Sequence, residues 1–275
     1  MRARSNGMIL AGAAMASAGV WAFTRQARRS GGPAARTRAT YPPLDVAKVV
    51  AEGVWIVDSG PINAMGLQLP VRMTIFRLEN GDLLLHSPTP FSAEVAAAVE
   101  ALGPVRHLVA PNIAHWTFVA DWQRAYPDAT TWAAPGLQDR AQVRASDVRI
   151  DAELGDTAPR EWAGTLDQGV VTGGAGFSEV WFFHRQTQTL VLVDLIENLD
   201  SDKLPPIARL LMQASAATRG TTARYLRLPV RLGGAEAKRA IRTIVALEPA
   251  RVIFAHGRIF EDDGAAKLKR AFAWI

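Results

Sequence analysis

Two histidines and one aspartate stand at the ends of short apolar stretches of this sequence. His115 closes HLVAPNIAH, Asp194 closes TLVLVD, and His256 follows RVIFA. Each stretch is typical of a short buried strand, and the polar residue after it adds nothing to apolar packing. Ligand-binding groups of α/β folds collect at the carboxyl ends of strands. Two imidazoles and one carboxylate therefore predict a site for one divalent metal, zinc or alternatively iron or manganese, with an open position for water.

An alternative interpretation gives these three residues no metal. A single histidine or aspartate at a strand end often caps a turn or bonds a nearby backbone group. The chain has no cysteine and only five histidines, so any metal must be held by imidazole, carboxylate or amide groups. From the sequence, binding of one metal and binding of none remain equal alternatives.

The elements that must position these residues follow from local patterns. Asn80-Gly81 lies between two apolar runs and predicts a tight hairpin, because both residues tolerate a positive φ. Ser92 can cap a helix that Gly103 ends. The predicted strands are Gly53–Gly60, Val71–Leu78, Asp82–Ser87, Val105–Ala110, Thr130–Ala134, Glu179–His184, Thr189–Asp194 and Arg251–His256. Helical stretches separate or follow them in two successive halves, which predicts an α/β domain with helices on its outer faces.

Longer phrases of the chain resemble a known family. They are LPVRMTIFRLENGDLLLHSPTPF, LGPVRHLVAPNIAHWTFVADWQRAYPDATTWAAPG, EVWFFHRQTQTLVLVDLIENL and RVIFAHG. Their order and spacing resemble the metallo-β-lactamase superfamily, and more narrowly an uncharacterised subfamily with a degenerate metal motif. The resemblance implies a four-layer αββα sandwich over residues 44–275.

The metal motif departs from that of the family. Active relatives carry His-x-His-x-Asp-His, which places histidines at Ala110 and Asn112 and an aspartate at Ala114 when its last histidine is His115. A further histidine expected near Gly176–Phe177 is also missing. By the resemblance, Asp194 and His256 match the remaining ligands, so it implies at most one metal.

Two further polar residues are candidates for steering a substrate. Asn112 could donate to a bound carbonyl or phosphate oxygen, and Glu179 begins a strand near the lost histidine. The resemblance implies a hydrolase acting on an ester, a thioester or a phosphoester, with a small-molecule substrate that the sequence does not identify. The alternative is a catalytically inactive, membrane-associated member that binds a ligand or a partner.

Residues 1–43 predict a membrane anchor or a signal peptide followed by a linker rich in Arg, Pro and Gly. Met8–Phe23 is uncharged, and basic residues flank it on both sides. Seven of the 31 basic residues and none of the 26 acidic residues lie in residues 1–40, so the rest of the chain is slightly acidic. We therefore expect contact with a membrane through residues 8–23 and no nucleic-acid partner. The domain is expected on the cytoplasmic side, or outside the cell if the segment is cleaved.

Overall fold

A computed structural model describes residues 39–64 and 67–275. Their strands form a seven-stranded sheet in the order β1-β2-β3-β4-β5-β6-β7 and a four-stranded sheet in the order β11-β10-β9-β8. The strands are β1 (Lys48–Ala51), β2 (Val54–Ala64), β3 (Leu67–Arg77), β4 (Leu83–His86), β5 (Val105–Ala110), β6 (Thr130–Ala133), β7 (Ala152–Glu153), β8 (Leu166–Thr172), β9 (Ser178–His184), β10 (Thr189–Val191) and β11 (Arg251–Ile253).

Helices cover the outer faces of both sheets. In the described part of the chain they are α1 (Ala93–Glu100), α2 (Val119–Ala125), α3 (Ala141–Arg144), α4 (Pro206–Ala214), α5 (Arg224–Leu232), α6 (Gly234–Ala246) and α7 (Gly264–Ala271), with a 3-10 turn at Ser201–Lys203. None of these helices is both long and apolar enough to cross a membrane. The apolar segment at residues 8–23, and most of the predicted region 1–43, lie outside the described residues.

Three apolar cores separate four layers. Neighbouring residues of one strand point to opposite faces of the sheet, so Leu84 enters the core between the sheets while Leu85 enters the core beneath α1 and α2. Phe182 meets Leu84 from the second sheet, and Ile241 of α6 packs on the outer face of that sheet. The four-layer αββα sandwich predicted from the sequence is confirmed.

Local signals account for several elements. β3 and β4 pair antiparallel around the Asn80-Gly81 turn, where Gly81 has a φ of +87°. The Ser92 hydroxyl accepts a hydrogen bond from the Val95 backbone N–H at 3.3 Å and so caps α1. β9 and β10 form the predicted second hairpin. Strand β8 and helix α5 were not predicted from the sequence.

A buried arginine ties the first sheet to the loop that follows β11. One Nη of Arg72 donates to the carbonyl oxygens of Phe254 and Gly257, each at 2.8 Å, and the other lies 2.7 Å from the Asp58 carboxylate. Lys48 also contacts Asp58. Arg72 is 4% exposed and Asp58 2%, so water does not replace these partners. The backbone on both sides of His256 is therefore fixed from β3.

Substituting Arg72 tests how strongly its buried contacts stabilise the fold. We expect Arg72→Met to lower the free energy of unfolding by about 3 kcal/mol, because it leaves Asp58 without its buried partner and two carbonyls without a donor. Denaturant unfolding followed by circular dichroism measures the loss. Arg106→Met on exposed strand surface is the matched control, with an expected change within about 0.5 kcal/mol. Equal losses in the two variants would contradict a stabilising role of the Arg72 contacts.

Candidate metal centre

His115, Asp194 and His256 converge at one edge of the sandwich. His115 follows β5, Asp194 follows β10, and His256 follows β11, where the strands leave the core between the sheets. The Nε2 atoms of both imidazoles lie 3.2 Å from Oδ1 of Asp194. The three possible ligand atoms lie within 4.8 Å of one another. The structure thus brings together residues that are far apart in the sequence.

Hydrogen bonds orient both imidazole rings. Nδ1 of His256 lies 2.7 Å from the carbonyl oxygen of Pro70, and Nδ1 of His115 lies 2.7 Å from the Ser87 hydroxyl. A carbonyl oxygen can only accept, so the ring of His256 carries a proton on Nδ1 and turns Nε2 towards Asp194. Second partners of this kind are typical of metal-binding histidines.

The donor set fits one divalent metal. Nitrogen and oxygen ligands of zinc lie about 2.0–2.2 Å from the ion, which puts neighbouring ligand atoms of a tetrahedral site about 3.4 Å apart. The two spacings of 3.2 Å around Asp194 Oδ1 are close to that value. Two imidazoles and a carboxylate also suit iron and manganese. The residues present can therefore hold such an ion.

The carboxylate of Asp194 is charged although little of it meets solvent. Its side chain is 17% exposed, and burial alone raises its pKa. The neighbouring His115 and His256 act more strongly in the opposite direction, so the pKa of Asp194 falls well below its ordinary value. Burial lowers the pKa of His256, but its hydrogen bond and its attraction to Asp194 give a net rise.

Asn112 lies beneath Asp194 and fixes the turn that carries His115. Its Oδ1 accepts the backbone N–H groups of Ala114 and His115, each at 2.9 Å. Its Nδ2 donates to Oδ2 of Asp194 at 2.7 Å, and the residue is 1% exposed. The Asn112 side chain is thus hydrogen-bonded to the carboxylate oxygen that does not face the imidazoles.

Glu179 holds the backbone of Asp194 from below. It is completely buried, and its two oxygens accept the N–H groups of Val193, Asp194 and Leu195 at 2.8–3.3 Å. Burial and the charge of Asp194 raise the pKa of Glu179 to about 8, against the influence of the three N–H donors. A role of Asn112 or Glu179 in steering substrate stays a prediction, since their described contacts are those of residues that position Asp194.

A second buried carboxyl group lies on the loop after Asp194 and was not identified from the sequence. The Tyr225 hydroxyl donates to Oε1 of Glu197, which is 5% exposed. Burial raises the pKa of Glu197 to about 7, while the charge of His256 lowers it and that of Asp194 raises it. The loop of Glu197 contacts the loop that carries His256, because a β-bridge joins Asn198 and Gly257.

The sequence also did not predict that Ser87, Pro70 and Gly257 support the site. Gly257 has a φ of +106°, and a Cβ there would lie 2.1 Å from the carbonyl oxygen of Asn198. Asn198 donates its N–H to the His256 carbonyl at 3.1 Å. A glycine directly after His256 was the available signal, because only glycine permits this close approach of the two loops.

Comparisons with known proteins agree with the architecture. The family model described as "Domain of unknown function (DUF4336)" matches residues 52–226. Comparison with curated proteins finds no match. Among solved structures, a metallo-β-lactamase from Pontibacter korlensis has a TM-score of 0.58 and 14% identity, over 82% of this chain and 96% of that chain.

Two further solved structures give the same result. The metallo-β-lactamase DIM-1 has a TM-score of 0.59 and 14% identity, over 82% of this chain and 94% of that chain. The metallo-β-lactamase FIM-1 from Pseudomonas aeruginosa, in its mono-zinc form, has a TM-score of 0.56 and 14% identity, over 82% of this chain and 91% of that chain. At these identities the likeness shows the fold.

The contact between Asn112 and Asp194 can be tested by exchanging the two side chains. We expect Asn112→Asp and Asp194→Asn each to lower the free energy of unfolding by about 2 kcal/mol, because each removes a buried, charge-assisted hydrogen bond. The double variant restores an amide facing a carboxylate and should recover at least about 1 kcal/mol of the summed loss. Chemical denaturation of the four proteins, without added metal, measures the coupling. Strictly additive losses would contradict the contact.

Proposed function

This chain belongs to the DUF4336 family and has the metallo-β-lactamase fold, and we propose that it is a single-metal hydrolase of an ester, a thioester or a phosphoester. The observation that supports the proposal is the convergence of two oriented imidazoles on one carboxylate oxygen. The three residues follow three strands that belong to two different sheets. Residues that only cap turns have no need to converge from three separate loops.

Each residue of the site has a distinct task in this proposal. His115, His256 and Asp194 hold the ion. A divalent metal bound there supplies Lewis-acid polarisation of the scissile group and lowers the pKa of water. Asn112 and Glu179 keep the Asp194 carboxylate in place, the first through its side chain and the second through its backbone.

One ion suits this chain better than two. Ala110, Asn112 and Phe177 stand where the resemblance expects ligands for the second ion. Oδ2 of Asp194, the oxygen left for a second ion, already accepts the amide of Asn112. In the part of the chain that the structure describes, the cluster of His115, Asp194 and His256 is the one group of three ligating side chains close enough to share an ion.

Ala114 also removes the aspartate that would orient and deprotonate water in the relatives. We assign that function to Glu197, a buried carboxyl group on the loop that follows Asp194. The next residue, Asn198, donates its backbone N–H to the His256 carbonyl at 3.1 Å, so this loop contacts the loop that carries His256. Tyr225 fixes Oε1, so we assign proton acceptance to Oε2.

Ligand binding without hydrolysis is the second candidate function. The contact of Asn112 with Asp194 favours it, because the amide already gives the carboxylate a hydrogen-bond partner. A buried aspartate with a purely structural role makes contacts of this kind. A protein of this kind would need neither an ion nor a proton acceptor. Metal content separates the two proposals.

The first test is the metal content of the purified full chain. We expect one equivalent of zinc, iron or manganese by elemental analysis, and a loss of that equivalent in His256→Gln, which removes one of three ligands. His184→Gln is the matched control, because His184 bonds Thr187 at the other end of β9. A metal-free parent would contradict the hydrolase proposal, and so would an equal metal content in the parent and in His256→Gln.

The proton acceptor is tested separately by turnover. A panel of p-nitrophenyl esters, chromogenic thioesters and phosphodiesters identifies the best substrate of the parent. On it, Glu197→Gln should lower kcat by about a hundredfold or more, since general-base catalysis contributes at least that factor. The metal content should stay at one equivalent. An unchanged kcat would exclude Glu197 as the base, and the exposed substitution Glu261→Gln serves as control.

A further inference from the structure

Helix α4 turns its apolar stripe to solvent. Ile207, Leu210 and Leu211 are 77%, 68% and 51% exposed. Leu210 and Leu211 lie three and four positions after Ile207, so all three share one side of the helix. The opposite side, with Ala208 and Met212, packs on a small apolar cluster of the domain. A helix on a globular surface normally has the reverse arrangement, with its apolar stripe inward.

Helix α5 continues the same feature. Tyr225, Leu228 and Leu232 are 54%, 55% and 62% exposed and lie on one side of this helix. The backbone N–H of Arg224 donates to the Ser215 carbonyl at 2.7 Å, and its guanidinium donates to the Ala214 carbonyl at 3.1 Å. The start of α5 is thus fastened to the end of α4, and we call the exposed side of the two helices the basic apolar face.

Positive charge accompanies these apolar residues. No acidic residue occurs between Lys203 and Glu236 in the sequence. The basic residues in that stretch are Lys203, Arg209, Arg219, Arg224, Arg227 and Arg231. Within the described chain, none of them takes part in a salt bridge. Arg227 and Arg231 lie over the Trp274 ring, a contact that leaves their charge uncompensated.

The chain enters the fold beside this face. Lys203 donates to the Thr40 carbonyl at 2.8 Å, and the Asp200 backbone N–H donates to the Tyr41 hydroxyl at 3.1 Å. Pro206, the first residue of α4, follows three residues after Lys203. Upstream lie the uncharged stretch 8–23 and its arginines. Even a fully extended tether from residue 23 to residue 39 spans only about 50 Å, so a membrane-bound segment would keep the face near the bilayer.

We propose that the basic apolar face docks on an anionic lipid bilayer. Leu210, Leu211 and Leu228 would lie at the level of the headgroups, and the surrounding guanidinium groups would meet lipid phosphates. Amphipathic helices with leucines on one side and arginines beside them bind membrane surfaces in this way. A second copy of the chain is a poorer occupant, because a two-fold interface would set the same uncompensated cations against each other.

Single cysteines report directly on this docking, since the chain has none of its own. We label Leu210→Cys of the full chain with the fluorophore NBD and add phosphatidylcholine vesicles that contain phosphatidylglycerol. Ala97→Cys, on exposed α1 over the first sheet, is the matched control. We expect a blue shift of the emission at position 210, and several-fold stronger quenching by a lipid-borne nitroxide there than at position 97. Equal emission and quenching at the two positions would overturn the proposal.

The second test measures how the response to anionic lipid depends on the positive charge of the face. In the Leu210→Cys background, Arg219→Gln should weaken the response to anionic lipid roughly fivefold, the amount expected for one basic residue near such a surface. Arg144→Gln, an exposed arginine of α3, should leave it unchanged. A shift that occurs without vesicles and grows with protein concentration would show that a second copy covers the face, and would overturn the proposal. An equal effect of the two arginine substitutions would do the same.

Discussion

A carboxylate removed from water needs partners on both of its oxygens, and Asp194 obtains them from separate parts of the fold. Oδ1 faces His115 and His256, Oδ2 accepts the Asn112 amide, and Glu179 holds the backbone on either side. These partners come from the ends of β5 and β11 and from the start of β9, so the pocket exists only when the two sheets are packed together. The imidazoles are fixed in turn by β3 and by the residue after β4. Stability and the proposed chemistry thus depend on the same contacts.

The same site contains two further buried carboxyl groups. Glu179 and Glu197 both have raised pKa values, about 8 and about 7, because burial and the charge of Asp194 oppose their ionisation. Raised pKa values favour the protonated acids, which limits the negative charge next to Asp194. In our proposal a divalent cation would be held by His115, His256 and Asp194 and would add positive charge beside this carboxylate.

The three candidate metal ligands could be predicted from the sequence, but the residues that hold them in place could not. His115, Asp194 and His256 were visible because each follows an apolar strand, and a strand end is a local signal. The contact of Pro70 with His256 joins residues 186 positions apart, and no local pattern announces it. Helix α5 was missed because Pro229 lies inside it, where proline normally breaks a helix. Strand β8 was missed because Gly169 weakens its pattern, although the ring of Trp181 needs that space.

Anomalous diffraction at the zinc edge, from crystals of the full chain grown with zinc, tests the central claim most directly. We expect one peak in this pocket, about 2.0–2.2 Å from Nε2 of His115, Nε2 of His256 and Oδ1 of Asp194. The Asn112 amide should remain on Oδ2. A pocket without a peak, or a second peak beside Oδ2 with Asn112 displaced, would contradict it.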